Sequence, residues 1–515
     1  MTDPLWNTFP EEEDSCHKFT KKLCIFTENK TCYMNRLRFI SRLALTAVLS
    51  FLILNPAIAQ RNRLQPPTPK YVFLMIGDGM GINQVYGAQN YNQVTGDGPK
   101  FINFTQFPVR TFVTTFSSSS LVTDSAAAGT ALATGVKTYN HALGVDPDKK
   151  PVESICVWAH RKGIGTGVAS NVGVNHATPA AFYAHVEDRN SYETIAEQFI
   201  SSNFIDFAAG GGIIVERNSG HNSQYFEDKA RDAGITVLRG SKQFTNMANR
   251  QGRVLCLGED TSTTDLKFAM DRRGGETELS DFVEAGIDYL YGHFKNGFFF
   301  MVEGGEIDGA GHNNDAICNI KDVNDFAKAI DVVLKFYDKH PNETLILITA
   351  DHETGGLELG DNYIMHPELL TVRKWSEGEI NVRFRQLAGI GPDRQPLPNR
   401  TIPTWDQVKN FLTEYVGLWG AIEVSEEQEA HFQELYHRAF DLNQVEEVQA
   451  LYSVSNRIIS DAITYADRQA GYLWMHGGHT GSPVGLYVNG ARAVEFNNCT
   501  DNTLIPQFIR RIAKY

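Results

Sequence analysis

Short apolar runs, rich in β-branched or aromatic residues, recur along the chain and break off at glycine or aspartate. They are YVFLMIGDG (71–79), GIGTGVAS (163–170), GFFFMVEGG (297–305) and TLILITADHETGG (344–356). Runs with no regular polar alternation predict strands buried on both faces. Helical patterns separate them, so the chain predicts an α/β fold: a large, mostly parallel central sheet sandwiched by helices on both faces. In such sheets ligands collect outside the carboxyl ends of the strands. The polar residues that close these runs sit at those ends.

A second pattern lies at 121–135, LVTDSAAAGTALATG, where one serine stands at the mouth of an alanine-rich run that predicts a helix stopped by Gly135. The Ser125 hydroxyl is there either as a helix cap or as a nucleophile. A nucleophilic serine needs an activating group, and this stretch contains no histidine. It also lacks the Gly-x-Ser-x-Gly elbow of the α/β-hydrolases.

The first 59 residues read differently from the rest. From Met34, Arg36, Arg38 and Arg42 form a basic region, Leu43–Leu54 an apolar stretch of 12 residues, and Ala57-Ile58-Ala59 a small-residue cleavage site. This is the pattern of a secretory signal at 34–59, and its apolar stretch is short of the ~20 residues of a membrane span. Residues 1–33 then precede the signal, which is most simply explained by a natural start at Met34. The protein is therefore expected to be exported, periplasmic or secreted, with a catalytic unit over 60–515.

Without the leader the net charge moves from −14 to about −15, which argues against nucleic acid or an anionic membrane as partner. An anionic substrate would need its own concentrated positive charge. Cys16, Cys24 and Cys32 fall in the leader; Cys156, Cys256, Cys318 and Cys499 remain, with no C-x-x-C among them. That disfavours thiolate zinc sites and leaves room for one or two disulfides.

Asp78 stands between two glycines at the end of the first run, presented on bare backbone. Glu303, Asp308 and His312 follow the third run in VEGGEIDGAGHNND, and Asp351 and His352 close the fourth. His479 lies in MHGGHTGSP, with His476 nearby. Singly, each has an ordinary reading as a turn or a surface loop. Together, four carboxylates and three histidines at loop positions suit a multi-ion site for hard to borderline metals. In NHATPAAFYAHVEDR, Thr178 is either a hydroxyl ligand or the cap of a helix running to about Val186. Arg189 is either a surface residue or a fork for two phosphate oxygens.

IGDGMG, TDSAAAGTALATG, HATPAAFYAHVEDR, VEGGEIDGAGHNND, TADHETGG and GGHTG, in this order, resemble the alkaline phosphatase family from about residue 70 to the end. The resemblance implies two zinc ions and one magnesium. Asp308, His312 and His479 match the first zinc site, and Asp78, Asp351 and His352 the second. Asp78 would also reach the magnesium, with Thr178 and Glu303. Ser125 matches the nucleophile, Arg189 the phosphate-gripping arginine, and Asp124 a residue that places that arginine. His176, near the third ion, stands where members carry either aspartate or histidine, and Gly309 is another variable position. The implied reaction is hydrolysis of phosphate monoesters through a phosphoserine, and the implied assembly a homodimer.

Between His352 and His479 lie 126 residues, more than two ligands need. TWDQVKNFLTEYVGLWG and SEEQEAHFQELYHRAF predict helices, the second opening with a capping box of Ser425 and Gln428. A crown- or lid-like subdomain is expected over about 357–470. Among rival readings, a sulfatase would need C/S-x-P-x-R, whereas Ser125 is followed by three alanines. A phosphodiesterase would need room where Arg189 stands. A binding protein without catalysis would have little use for Ser125.

Overall fold

The structure, a computed structural model, describes residues 67–360, 365–392, 394–451 and 453–515. The expected leader, 1–59, lies outside the described residues. Those from 67 onward belong to one compact unit. Among them no helix is long and apolar enough to cross a membrane.

Among the described residues the central sheet has nine strands: β1 (Tyr71–Gly77), β2 (Val109–Val113), β3 (Gly165–Ser170), β4 (Phe207–Gly210), β5 (Thr236–Arg239), β6 (Val254–Leu257), β7 (Phe298–Gly304), β8 (Thr344–Ala350) and β9 (Val484–Gly490). Their spatial order is β2-β9-β8-β1-β7-β3-β4-β6-β5. Only β9 runs against its neighbours, β2 and β8. Every residue of β1, β7 and β8 is buried. Because successive side chains point to opposite faces, both faces of these strands are covered. Helices α3 (Leu279–His293) and α5 (Ala316–Lys339) supply part of that cover, α3 packing on β3 and β4 and α5 on β1 and β7.

The register sets the chemistry. Gly77 of β1 pairs with Gly304 on one side and Ala350 on the other. The strands therefore end level, and Asp78 and Asp351 emerge side by side one residue later. Glu303 pairs with Ile76 and with Ser170 at the same level.

Helix α1 (Ser125–Thr134) forms as the alanine run predicts and ends at Gly135 with φ 76°. Its N-cap is Asp124, whose Oδ1 accepts from the Ala127 amide at 3.1 Å. Ser125 is the first helical residue and its hydroxyl is not needed as a cap. The helix expected from Thr178 to about Val186 is a single turn, α2 (Ala177–Ala180). Beyond it Val186 and Leu143 exchange two backbone hydrogen bonds of 2.9 Å, and this bridge draws the chain out of the helix.

Between His352 and His479, α6 (Trp405–Val416), α7 (Glu426–Tyr436) and α8 (Arg457–Gln469) pack around their own apolar cluster, which includes Phe384, Leu412, Phe432 and Ile459. The reciprocal capping box forms at Thr404 and Gln407. At Ser425 only the hydroxyl half is made, accepting from the Gln428 amide. A buried arginine fastens this region at its base: Arg373 pairs with Asp315, the N-cap of α5, and lies 3.3 Å from Asp467. Asp315 also accepts from the Glu377 amide and Asp467 from the Ala316 amide. Removing the arginine would leave two buried carboxylates uncompensated. Arg373→Met is expected to lower unfolding free energy by about 3–5 kcal/mol, measured by urea denaturation; a loss below 1 kcal/mol would contradict the fastening role.

Candidate active site and metal centre

The fold brings the polar residues of six separate segments together. Asp308 and His312 lie one turn apart on α4 (Glu306–His312), which starts just after β7. His312 Nε2 is 3.2 Å from Asp308 Oδ2 and 3.2 Å from His479 Nε2. The other nitrogen of each ring faces a carbonyl oxygen: His312 Nδ1 that of Gly477 at 2.6 Å, His479 Nδ1 that of Thr123 at 2.9 Å. A carbonyl can only accept, so each ring donates from Nδ1 and turns Nε2 toward the carboxylate of Asp308, the atom through which it would bind an ion.

His352 Nε2 is 3.3 Å from Asp78 Oδ1 and 3.3 Å from Asp351 Oδ2, and 3.2 Å from Ser125 Oγ. Thr354, which the motif reading passed over, fixes this ring. Its hydroxyl donates to Asp308 Oδ1 at 2.5 Å and lies 3.2 Å from His352 Nδ1. With its own proton given to Asp308, Thr354 can only accept from Nδ1–H, so Nε2 is again the open nitrogen. The only signal for Thr354 in the sequence was its place two residues beyond His352.

Asp78, His176 and Glu303 make a third group. Thr178 Oγ1 is 3.4 Å from Asp78 Oδ2, and Ser170 donates to Glu303 Oε2. Arg189 is buried, with Nη1 3.3 Å from Asp124 Oδ2 and Nη2 3.0 Å from His176 Nε2. Since guanidinium only donates, His176 accepts here as a neutral imidazole. Asp124 thus caps α1 with one oxygen and holds Arg189 with the other. His476 is exposed and stands outside these groups. Cys156, Cys256, Cys318 and Cys499 are buried and unlinked.

The electrostatics are severe. Burial, then repulsion from Asp351 and Asp308, push the Asp78 carboxyl well above the usual carboxylate range. Burial raises Glu303 to about 7, and burial with Asp308 and Glu303 raises Asp351 to about 8. Burial also lowers His352 and His479, and with Arg189 holds His176 at about 3, so these rings are neutral. Asp308 is held well below its usual value against its own burial, by His312 foremost, and His312 is raised in turn. Oδ1 of Asp78, Oε1 of Glu303 and Oδ2 of Asp308 and Asp351 are buried without accepting a hydrogen bond. Buried acceptors and converging lone pairs in three groups, each with its ligand atoms within 4.8 Å of one another, fit divalent cations. Nitrogen and oxygen donors without thiolates suit hard to borderline divalent metals.

Comparison with known proteins agrees in kind. The family described as alkaline phosphatase matches residues 69–515. Alkaline phosphatase 4 of Bacillus subtilis (strain 168) is 31% identical over 453 residues, which cover 86% of this chain and 88% of that protein. A cold-active alkaline phosphatase from the psychrophile Shewanella sp. is similar in structure, with a TM-score of 0.69 at 28% identity. The match covers 86% of this chain and 99% of that one. TAB5 alkaline phosphatase, as a histidine-to-glutamate mutant with Mg bound in its M3 site, has a TM-score of 0.58 at 25% identity, covering 88% and 99%. This chain belongs to the alkaline phosphatase family of metal-dependent phosphoric monoester hydrolases.

Proposed function

We propose that the chain hydrolyses phosphate monoesters in two displacements through a phosphoserine on Ser125. The observation that carries this reading is the Ser125 hydroxyl at the head of α1, 3.2 Å from His352 Nε2, with Arg189 anchored close by through Asp124. Asp308, His312 and His479 would hold one zinc ion, Asp78, Asp351 and His352 a second, and Asp78, Thr178 and Glu303 a magnesium beside His176. These ions would supply positive charge that favours the ionised serine and the departing oxygen. A TAB5 alkaline phosphatase mutant with Mg bound in its M3 site supports magnesium as the third ion.

The chain's own groups do the rest. Ser125 Oγ attacks phosphorus and the P–O bond to the alcohol breaks on the opposite side. Arg189 grips two non-bridging oxygens in bidentate fashion, its aim set by Asp124 and His176. The first amides of α1 favour the anion that collects there. Water then attacks the phosphoserine from the face the alcohol left, so configuration at phosphorus is retained overall. Ser125→Ala is expected to keep its metal content, to yield no acid-trapped phosphoenzyme, and to lose about three orders of magnitude in kcat or more. Wild-type turnover in that variant would refute the role.

The raised carboxyls give the metal-free protein a definite pH dependence. Asp78, Glu303 and Asp351 bind protons more tightly folded than unfolded, where carboxyls titrate near ~4. Their contribution to stability is therefore present at low pH and lost as pH rises, for Glu303 and Asp351 through about 7 and about 8, with Asp78 acting in the same direction. His312, also raised, acts in the same direction, while the lowered histidines finish their opposite effect by about 6.5. Chelator-treated protein is expected to melt at progressively lower temperature from pH 6.5 to 8.5. Protein loaded with zinc and magnesium should fall less steeply, the remaining slope coming from Glu377 and Asp467, which burial raises to about 8 and about 7 away from the metal groups, and metal uptake at pH 7 should release protons. A rising melting temperature in the stripped protein would overturn the assignment.

Export is part of the same proposal, supported by the basic, apolar and small-residue succession at 34–59. The mature protein recovered from cells is expected to begin at Gln60 by terminal sequencing; recovery of an intact leader on active protein would contradict it.

A further inference from the structure

The inserted region holds a cavity of about 440 Å³, and no residue of the three metal groups lines it. Its size falls in the range of small-molecule sites. Three arginines line it: Arg385, Arg394 and Arg400. Arg385 lies in the last turn of the helix Glu377–Leu387. One turn earlier Asn381 fastens that helix to the strand Val454–Asn456, its Nδ2 donating to the Val454 carbonyl at 3.0 Å and its Oδ1 accepting from the Asn456 amide at 3.1 Å. The chain after the helix doubles back. The Gly391 amide donates to the Gln395 carbonyl at 2.8 Å, and the Leu397 amide to that of Gly389 at 2.8 Å. Arg394 sits in this turn and Arg400 at its foot, where Nη2 donates to Asn443 Oδ1 at 3.2 Å.

The charges in the cavity do not balance. Glu447 is the one carboxylate in the lining among the described residues, and it pairs with none of the three arginines. Among the described residues the guanidiniums of Arg385 and Arg394 have no hydrogen-bond or ion-pair partner. Burial and then repulsion from Arg394 push Arg385 below its usual value. The negative end of the helix accounts for Arg385; it does not account for Arg394 and Arg400 beside it. In a chain of net charge −14, a surplus of positive charge in one cavity runs against the field of the whole. Guanidiniums offer paired donors that match the oxygens of a phosphoryl group, and Ile390 and Pro396 add apolar wall for a body attached to it.

We propose that this cavity is a second, non-catalytic site for a phosphate-type dianion, either inorganic phosphate or the phosphoryl group of an ester. Arg385 and Arg394 grip the oxygens and Arg400 completes the clamp. The site is separate from Ser125 and does not depend on the phosphoserine route proposed above.

The test is equilibrium dialysis of zinc- and magnesium-loaded protein against labelled inorganic phosphate at about 0.15 M salt, where loose attraction between exposed charges is screened. The double variant Arg385→Gln, Arg394→Gln is expected to bind one phosphate fewer per chain than wild type and to hydrolyse methyl phosphate with the wild-type kcat. Arg400→Gln alone should weaken the same site about tenfold. Melting temperatures identify a variant that fails to fold. Arg394 is exposed, so Arg394→Gln alone, also expected to weaken the site about tenfold, still decides. Phenylphosphonate carries the group on a ring and has no ester bond to break, so it separates the two sources. A difference between wild type and double variant that appears with phenylphosphonate as well assigns the site to esters; one confined to inorganic phosphate assigns it to the free ion. Equal phosphate binding by wild type and the folded variants overturns the proposal. A loss of kcat in parallel with the lost phosphate overturns the separation of this site from the catalytic one.

Discussion

Four carboxylates, those of Asp78, Glu303, Asp308 and Asp351, are buried together at the ends of neighbouring strands. Without compensating charge such a cluster would swell, take up protons or come apart. The fold places it there because three parallel strands end level, and it carries few positive charges of its own nearby: Arg189, and a His312 drawn toward protonation by Asp308. Everything else at the site answers this constraint. The imidazoles turn their open nitrogens inward because backbone carbonyls or Thr354 hold the opposite side of each ring. Gly79, beside Asp78, leaves room where a Cβ would press within 2.7 Å of Asp308 Oδ1 and 2.8 Å of Thr354 Oγ1.

Economy of parts follows from the same crowding. Asp124 caps the helix that presents Ser125 and steers Arg189. Thr354 joins the ring of His352 to the carboxylate of Asp308, so the first two groups share a hydrogen-bonded link through one hydroxyl. Groups in such a network do not move independently.

Much of this was legible in the sequence, because strand ends and motifs are local signals. The apolar runs marked four central strands to within a few residues, and the residues closing them are those the fold brings together. The resemblance to a family linked the distant segments before any geometry was available. What was not legible depended on partners far away in the chain. Nothing local says that Val186 pairs with Leu143, so the helix after Thr178 was overextended. Asp124 and Ser125 are both good caps on paper, and only the arginine 65 residues later shows why the aspartate takes that place. Thr354 looks like a turn residue until Asp308 is beside it.

The buried arginine at position 373 has a consequence for how this architecture tolerates change. Through Asp315 and Asp467 it brings the start and end of the long inserted region to one point at the head of α5. Seen from the sheet, everything between those positions is then equivalent to a short turn. Loop-closure entropy grows only with the logarithm of length, so the excursion can lengthen, shorten or repack its own core while the strand ends stay where they are. The inserted region is free to diversify, and the strand ends that gather the buried carboxylates are not.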